Sequence, residues 1–233
     1  MNRLILFYRP AGSPSAARVK TRIAAEIGPE GAGGLYRAML ADLAENLAAF
    51  EDILFPTAAE SMPESGPGEQ SPWTPAAFQR GRDLGIRMEN GFRDAFSGGI
   101  QRAVLIGSDI PHIEPATIQR SFTDLERFDT VLGPALDGGY YLIGLTGSAF
   151  RRQASFGSSP GPSRKGIIFE DIPWSTEGVF TATLGRIETA GLSVSVLPVM
   201  RDLDTFEDVG KVLAGHGDRL PELTRAFASV CRE

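Results

Sequence analysis

The chain has 233 residues, 42% of them hydrophobic, and a formal net charge of −6. That acidic balance, with no basic stripe interleaved with aromatics, excludes nucleic acid as the expected partner. A lone cysteine, Cys231, excludes an internal disulfide, and no apolar run reaches the ~18 residues of a spanning helix. A soluble cytoplasmic protein is expected, built as one domain over residues 1–233, since α/β domains often reach this length.

Leu4 to Tyr8 is a short apolar run ending in a Pro/Gly/Ser-rich loop, the pattern of a buried strand. Arg18 to Ile27 reads as a helix. GPEGAGG (Gly28 to Gly34) reads as a helix-to-helix connection, because glycine ends helices readily. Leu35 to Phe50 is a clearer helix: Leu35, Met39, Leu40, Leu43, Leu47 and Phe50 fall on one face. Asp52 to Thr57 returns as a strand. Ala58 to Pro75 is rich in Pro, Gly, Ser and Glu and reads as a mobile insertion.

Helical spacing resumes from Asp83 to Phe96, and Ala103 to Ile106 is an apolar strand. Pro115 opens a helix carrying Ile118, Phe122 and Leu125. DTVLGPA and GYYLIGL are strands on either side of Leu136 to Gly138. Ser155 to Lys165 is a second flexible stretch. A helix over Thr176–Ala190, a strand over Leu192–Pro198, and helices over Thr205–Leu213 and Asp218–Val230 complete the chain. Strands alternating with helices predict an α/β sandwich on a mainly parallel sheet, with ligands outside the carboxyl ends of the strands.

Only two histidines, His112 and His216, are present, so a histidine-based zinc site is not expected. There is no Gly-x-Ser-x-Gly elbow and no phosphate loop ending in Gly-Lys-Ser/Thr. The chemistry carriers are acids. Asp109 ends the strand Ala103–Ile106, and Asp202 and Asp204 follow Leu192–Pro198. A rival reading of the latter pair is helix capping by Asp204 or Thr205. If the fold joins Asp109 to this pair, carboxylates about 4 Å apart repel by about 4 kcal/mol at an effective dielectric near 20. A proton or a cation must then intervene, and oxygen-only ligands suit Mg²⁺ or Mn²⁺.

Arg18, Lys20 and Arg22 cluster after the first strand, where cations at a helix N-terminus suit phosphate; a solvated helix face is the alternative. Asp137, Gly138 and Gly139 are either a turn or a site where glycines admit a nucleotide to the backbone while Asp137 accepts hydroxyl hydrogens. Ser175 or Thr176 reads as a helix N-cap, with Trp174 in the core.

Taken in order, KTRI at Lys20, RDLGIRM at Arg82, GSDIP at Gly107, LGPALDGGYYLIGL at Leu132, IPWST at Ile172 and DLDTFEDV at Asp202 resemble a known bacterial family. It is the family of radical-SAM/selenodomain-associated transferases, within the glycosyltransferase-A-like, nucleotide-diphospho-sugar transferase superfamily. The resemblance implies a Rossmann-like three-layer α/β/α fold that binds a nucleotide. It implies metal binding by Asp109, with Asp202 and Asp204 as the later acidic motif, and phosphate-facing Lys20 and Arg22. One departure is the loop RPAGSPSAARVKTRI, which is longer than the family pattern and has Ala17 in place of glycine.

The expected function is metal-dependent transfer from a nucleotide-diphospho-sugar or related nucleotide donor to a small-molecule acceptor. Asp137 would position a hydroxyl and act as base. Two alternatives stay open. One is a nucleotidyltransferase that joins a nucleoside triphosphate to a phosphorylated small molecule and releases pyrophosphate. The other, indicated by the altered loop, is a nucleotide-binding partner protein without turnover.

Overall fold

Successive side chains of a strand point to opposite faces, so a strand buried at every position must be covered on both sides. Leu4, Ile5 and Leu6 are each fully buried, and the computed structural model places them mid-sheet. It describes residues 1–11, 20–59, 72–156 and 166–232. The strands are β1 (Asn2–Tyr8), β2 (Leu54–Ala58), β3 (Ala77–Phe78), β4 (Arg102–Gly107), β5 (Thr130–Pro134), β6 (Tyr140–Thr146) and β7 (Val194–Val196). They form one sheet in the order β3-β2-β1-β4-β6-β5-β7. All neighbours pair in parallel except β6, which runs antiparallel to both β4 and β5.

The alternation of β1 and β4 divides the core. Leu4, Leu6, Val104 and Ile106 face a layer that includes α1 (Thr21–Leu47), α3 (Pro115–Asp124), α6 (Phe206–His216) and α7 (Pro221–Val230). Ile5, Phe7, Ala103 and Leu105 face α2 (Leu84–Ser97), α4 (Gly147–Phe156) and α5 (Val179–Thr189). This is the three-layer α/β/α sandwich with a mainly parallel sheet. No helix among the described residues is long and apolar enough to cross a membrane.

The two expected N-terminal helices are joined as α1. The break between them shrinks to Gly28, at φ 78° and ψ 161°, after which Pro29 restarts the helix. The expected strand at Asp52 begins at Leu54. Two elements lacked a readable pattern. β3 is only two residues long. α4 follows β6 directly, with Thr146 Oγ1 accepting from Ala149 N at 3.1 Å. The final helix starts at Pro221, after a 3-10 turn over Gly217–Arg219. Buried Asp42 on α1 caps it, accepting from Glu222 N at 3.1 Å and Leu223 N at 2.8 Å. α5 begins at Val179 with Gly178 as N-cap, so Ser175 and Thr176 are not its caps; Ser175 sits at φ 66° in the connecting loop. Most of the two segments expected to be mobile, Ala58–Pro75 and Ser155–Lys165, lies outside the described residues, as do Ala17 and Arg18.

His112 is 4% exposed and stays neutral: burial, helped by the neighbouring charges of His216 and Arg219, pushes its pKa down to about 4. In the unfolded chain the ring protonates near its ordinary value of 6.5. The unfolded state therefore binds more protons in the window between these values, and stability falls as pH drops through it. The full loss from this ring is about 3 kcal/mol. His112→Gln, which cannot charge, should show a shallower decline of the urea midpoint with acid; an unchanged decline would assign the acid sensitivity elsewhere.

Candidate active site

The carboxyl ends of β1, β4 and β5 open into a cleft of about 880 Å³. Its aspartates come from three separate turns: Asp109 after β4, Asp137 between β5 and β6, and Asp202 and Asp204 after β7; Glu177 joins them from the loop before α5. Leu203 N donates to Asp109 O at 3.1 Å, so the first and last of these segments are joined through the backbone.

Lys20 stands beneath them. It is the N-cap of α1, in the left-handed region at φ 61° and ψ 45°. Its side chain is 3% exposed, and Nζ lies 2.9 Å from Asp109 Oδ1 and 3.0 Å from Asp204 Oδ1. Burial alone would lower its pKa, but the two carboxylates outweigh that and hold it above its ordinary value. Lys20, expected to face phosphate, has its ammonium engaged by two acids in the fold. Arg22 is an exposed cation at this end, 3.9 Å from Asp204 Oδ2.

The acids regroup as well. Asp137, Asp202 and Asp204 each offer an oxygen such that all three lie within 4.8 Å of one another. Asp109 pairs instead with Lys20. Burial, then the nearby charges of Asp137 and Asp204, push the pKa of Asp202 up to about 6. A divalent cation accepting oxygen ligands fits such a set, because it would offset the repulsion that raises Asp202. The capping alternative is resolved by Thr205, which is the N-cap of α6 and forms a capping box with Asp208. Asp204 is thereby left for the cleft.

The Asp-Gly-Gly turn serves its own geometry first. Asp137 Oδ1 accepts from Gly139 N at 2.8 Å. Gly138 has φ 86°, and a Cβ there would lie 2.2 Å from Glu177 O. Its bare face is turned to the 174–178 loop rather than to the cleft, and its carbonyl accepts from Phe180 N at 2.8 Å. Gly139 does line the cleft.

Sequence reasoning missed two features. Tyr36, buried on α1, bonds Arg9 O at 3.1 Å and Ser108 Oγ at 3.3 Å, tying the loops after β1 and β4 together. Burial pushes its hydroxyl pKa up to about 12, so it stays protonated. A phenol inside an otherwise apolar helix stripe was the available signal. Trp174, expected in the core, is half-buried and walls the cleft; its indole N–H has no hydrogen-bond partner among the described residues.

A mainly parallel sheet between two helical layers, with an acid-lined cleft over its carboxyl ends, defines a protein of the glycosyltransferase-A and nucleotidyltransferase-like class. The chain belongs to the family DUF2064, described as an uncharacterized protein conserved in bacteria, whose model matches residues 41–176. It is 30% identical over 212 residues to 2-phospho-L-lactate guanylyltransferase of Methanothermobacter thermautotrophicus strain Delta H, across 88% of this chain and 84% of that protein. A solved structure from Desulfovibrio desulfuricans G20, assigned as a nucleotide-diphospho-sugar transferase, superposes with TM-score 0.80 at 29% identity, covering 99% of this chain and 97% of that one. A cytidylyltransferase of Leptospira borgpetersenii serovar Hardjo-bovis shares the fold, with TM-score 0.53 at 13% identity over 98% and 95% of the two chains.

Gly138→Ala should destabilise the protein by about 2 kcal/mol or more, because the new methyl meets the Glu177 backbone at a positive φ. Gly185→Ala is the control: it lies in α5 with open space around it and should stabilise by about 0.5–1 kcal/mol. Urea unfolding of both checks the reading, and equal effects would contradict it.

Proposed function

We propose that this transferase moves a nucleotidyl group, joining a nucleoside triphosphate to a phosphorylated small molecule with release of pyrophosphate. The observation that carries this reading is the placement of Asp137. An alcohol acceptor is helped by a carboxylate free to take its proton. Asp137 instead shares one oxygen with its own turn and belongs to the acidic trio with Asp202 and Asp204. A phosphate acceptor needs no such base, because its second ionisation lies near pH 6 and its oxygen is already charged at neutral pH. That oxygen forms the new bond to the α-phosphorus. The bond from the α-phosphorus to its bridging oxygen breaks, and pyrophosphate leaves with the electron pair. The relative from Methanothermobacter supports the choice, since it is named a guanylyltransferase of a phosphorylated hydroxy acid.

In this reading Asp137, Asp202 and Asp204 hold a Mg²⁺ or Mn²⁺ ion, which supplies positive charge to the phosphate oxygens when bound. Lys20 sets the spacing of Asp109 and Asp204. Arg22, exposed at the cleft mouth, contacts the phosphates of the donor. Gly139 brings backbone to the cleft surface beside them. The whole chain acts as one domain, because strands from both halves enter one sheet. The motif order supports the finer placement among radical-SAM/selenodomain-associated transferases. A second reading, transfer from a nucleotide-diphospho-sugar, is favoured by the Desulfovibrio likeness at TM-score 0.80.

The test mixes each nucleoside triphosphate with 2-phospho-L-lactate or another small phosphorylated acid, with and without Mg²⁺ or Mn²⁺, and measures pyrophosphate. Release should require the ion and fall on the order of a hundredfold in Asp202→Asn. Binding of the ion to the free protein should also weaken as pH falls toward about 6, where a proton on Asp202 competes with the cation. Turnover of nucleotide-sugars without pyrophosphate would replace this reading with the second.

A further inference from the structure

The segment that carries Asp202 and Asp204 has a second side. Met200 N donates to Pro134 O and Met200 O accepts from Leu136 N, both at 3.0 Å, which pins the segment as a strap across the end of β5. Asp202 and Asp204 line the main cleft. Arg201 lines a separate cavity of about 420 Å³ between the strap, the 112–117 segment and α6.

The only two histidines of the chain meet in that cavity. Their rings stack with centroids 5.1 Å apart and planes 24° from parallel. His216 Nδ1 lies 2.8 Å from an Arg219 nitrogen. A guanidinium only donates, so Nδ1 accepts and the proton of a neutral ring sits on Nε2. His112 is 4% exposed, and its Nδ1 has no hydrogen-bond partner among the described residues. One buried ring and one half-buried ring thus border the cavity, and the buried one keeps a nitrogen unpaired among the described residues.

Two cations complete the lining. Arg201 spends NH1 on Asp208 at 2.9 Å and keeps further donors. Lys211 lies 2.7 Å from Glu207, but the two side chains are 48% and 74% exposed. So exposed a pair is held weakly, and the ammonium is free to turn to another anion. Glu114, the acid of the lining, lies 2.9 Å from Arg219 in a pair that is itself half-exposed, so the lining brings one carboxylate against Arg201, Lys211 and the neighbouring Arg219.

We propose that this cavity is a second binding site, distinct from the nucleotide cleft, for a small phosphate-bearing anion held by Lys211, Arg201 and the two imidazoles. The site asks for a compact polyanion: the donors converge from the strap, α6 and the 112–117 segment on a space too small for a nucleotide and its acceptor together.

Because the chain has no other histidine, its imidazole proton signals in NMR report on this cavity. The full chain is titrated with inorganic phosphate at pH 7.5 and constant ionic strength, with chloride as the control. Both histidines should shift saturably with phosphate and not with chloride. Lys211→Gln, a change on a half-exposed side chain, should weaken the apparent Kd about tenfold or more. Arg22→Gln, in the main cleft, should leave it unchanged. Absent or non-saturating shifts overturn the proposal. So does a loss of affinity in Arg22→Gln with none in Lys211→Gln, since the histidines would then be sensing phosphate in the main cleft.

Discussion

Lys20 places one ammonium between carboxylates that arrive from distant parts of the chain, Asp109 after β4 and Asp204 after β7. Everything at the cleft depends on that meeting. Without the ammonium, two acids brought to one edge of the sheet would repel by a few kcal/mol. The lysine accepts an unfavourable backbone to be there, since a left-handed residue other than glycine costs roughly 1–2 kcal/mol. Its charge survives burial because two carboxylates share it.

That pairing also decides which acids remain for a ligand. Asp109 is matched by Lys20, while burial, and then the charges of Asp137 and Asp204, draw the pKa of Asp202 upward. Asp204 belongs to both groups, partnered by Lys20 and close to Asp137 and Asp202, and the acids around Asp202 outnumber the cations the protein brings to them, an excess that a cation can relieve. Thr205 contributes by capping α6, because a helix capped by Asp204 would have withdrawn that carboxylate from the cleft.

The segment from Pro198 to Asp204 works on two fronts. Its hydrogen bonds to Pro134, Leu136 and Asp109 fix its path. Arg201 then faces α6 and the histidine cavity, while Asp202 and Asp204 face the nucleotide side. Leu203 is fully buried and anchors the strap in the α1 side of the core. One short extended run thus forms a wall common to two cavities of different charge.

Local patterns determined much of this protein. The apolar runs within β1 and β4, the striped face of α1, the helical spacing of α2 and the turn between β5 and β6 are each written in a few neighbouring residues, because side-chain periodicity and turn chemistry act over short range. The residue types of the site were legible for the same reason: Lys20, Asp109, Asp137, Asp202 and Asp204 stand at element ends. What joined them was not. Lys20 and Asp204 are 184 positions apart, and no local pattern encodes a distance across a sheet. Only the tertiary structure set Lys20 between two carboxylates, grouped Asp137 with Asp202 and Asp204, aimed Gly138 at Glu177, and stacked His112 on His216. These are outcomes of strand order, the reversal of β6 and the packing of α6, which bring remote groups within a few ångströms and let charge and space decide their partners.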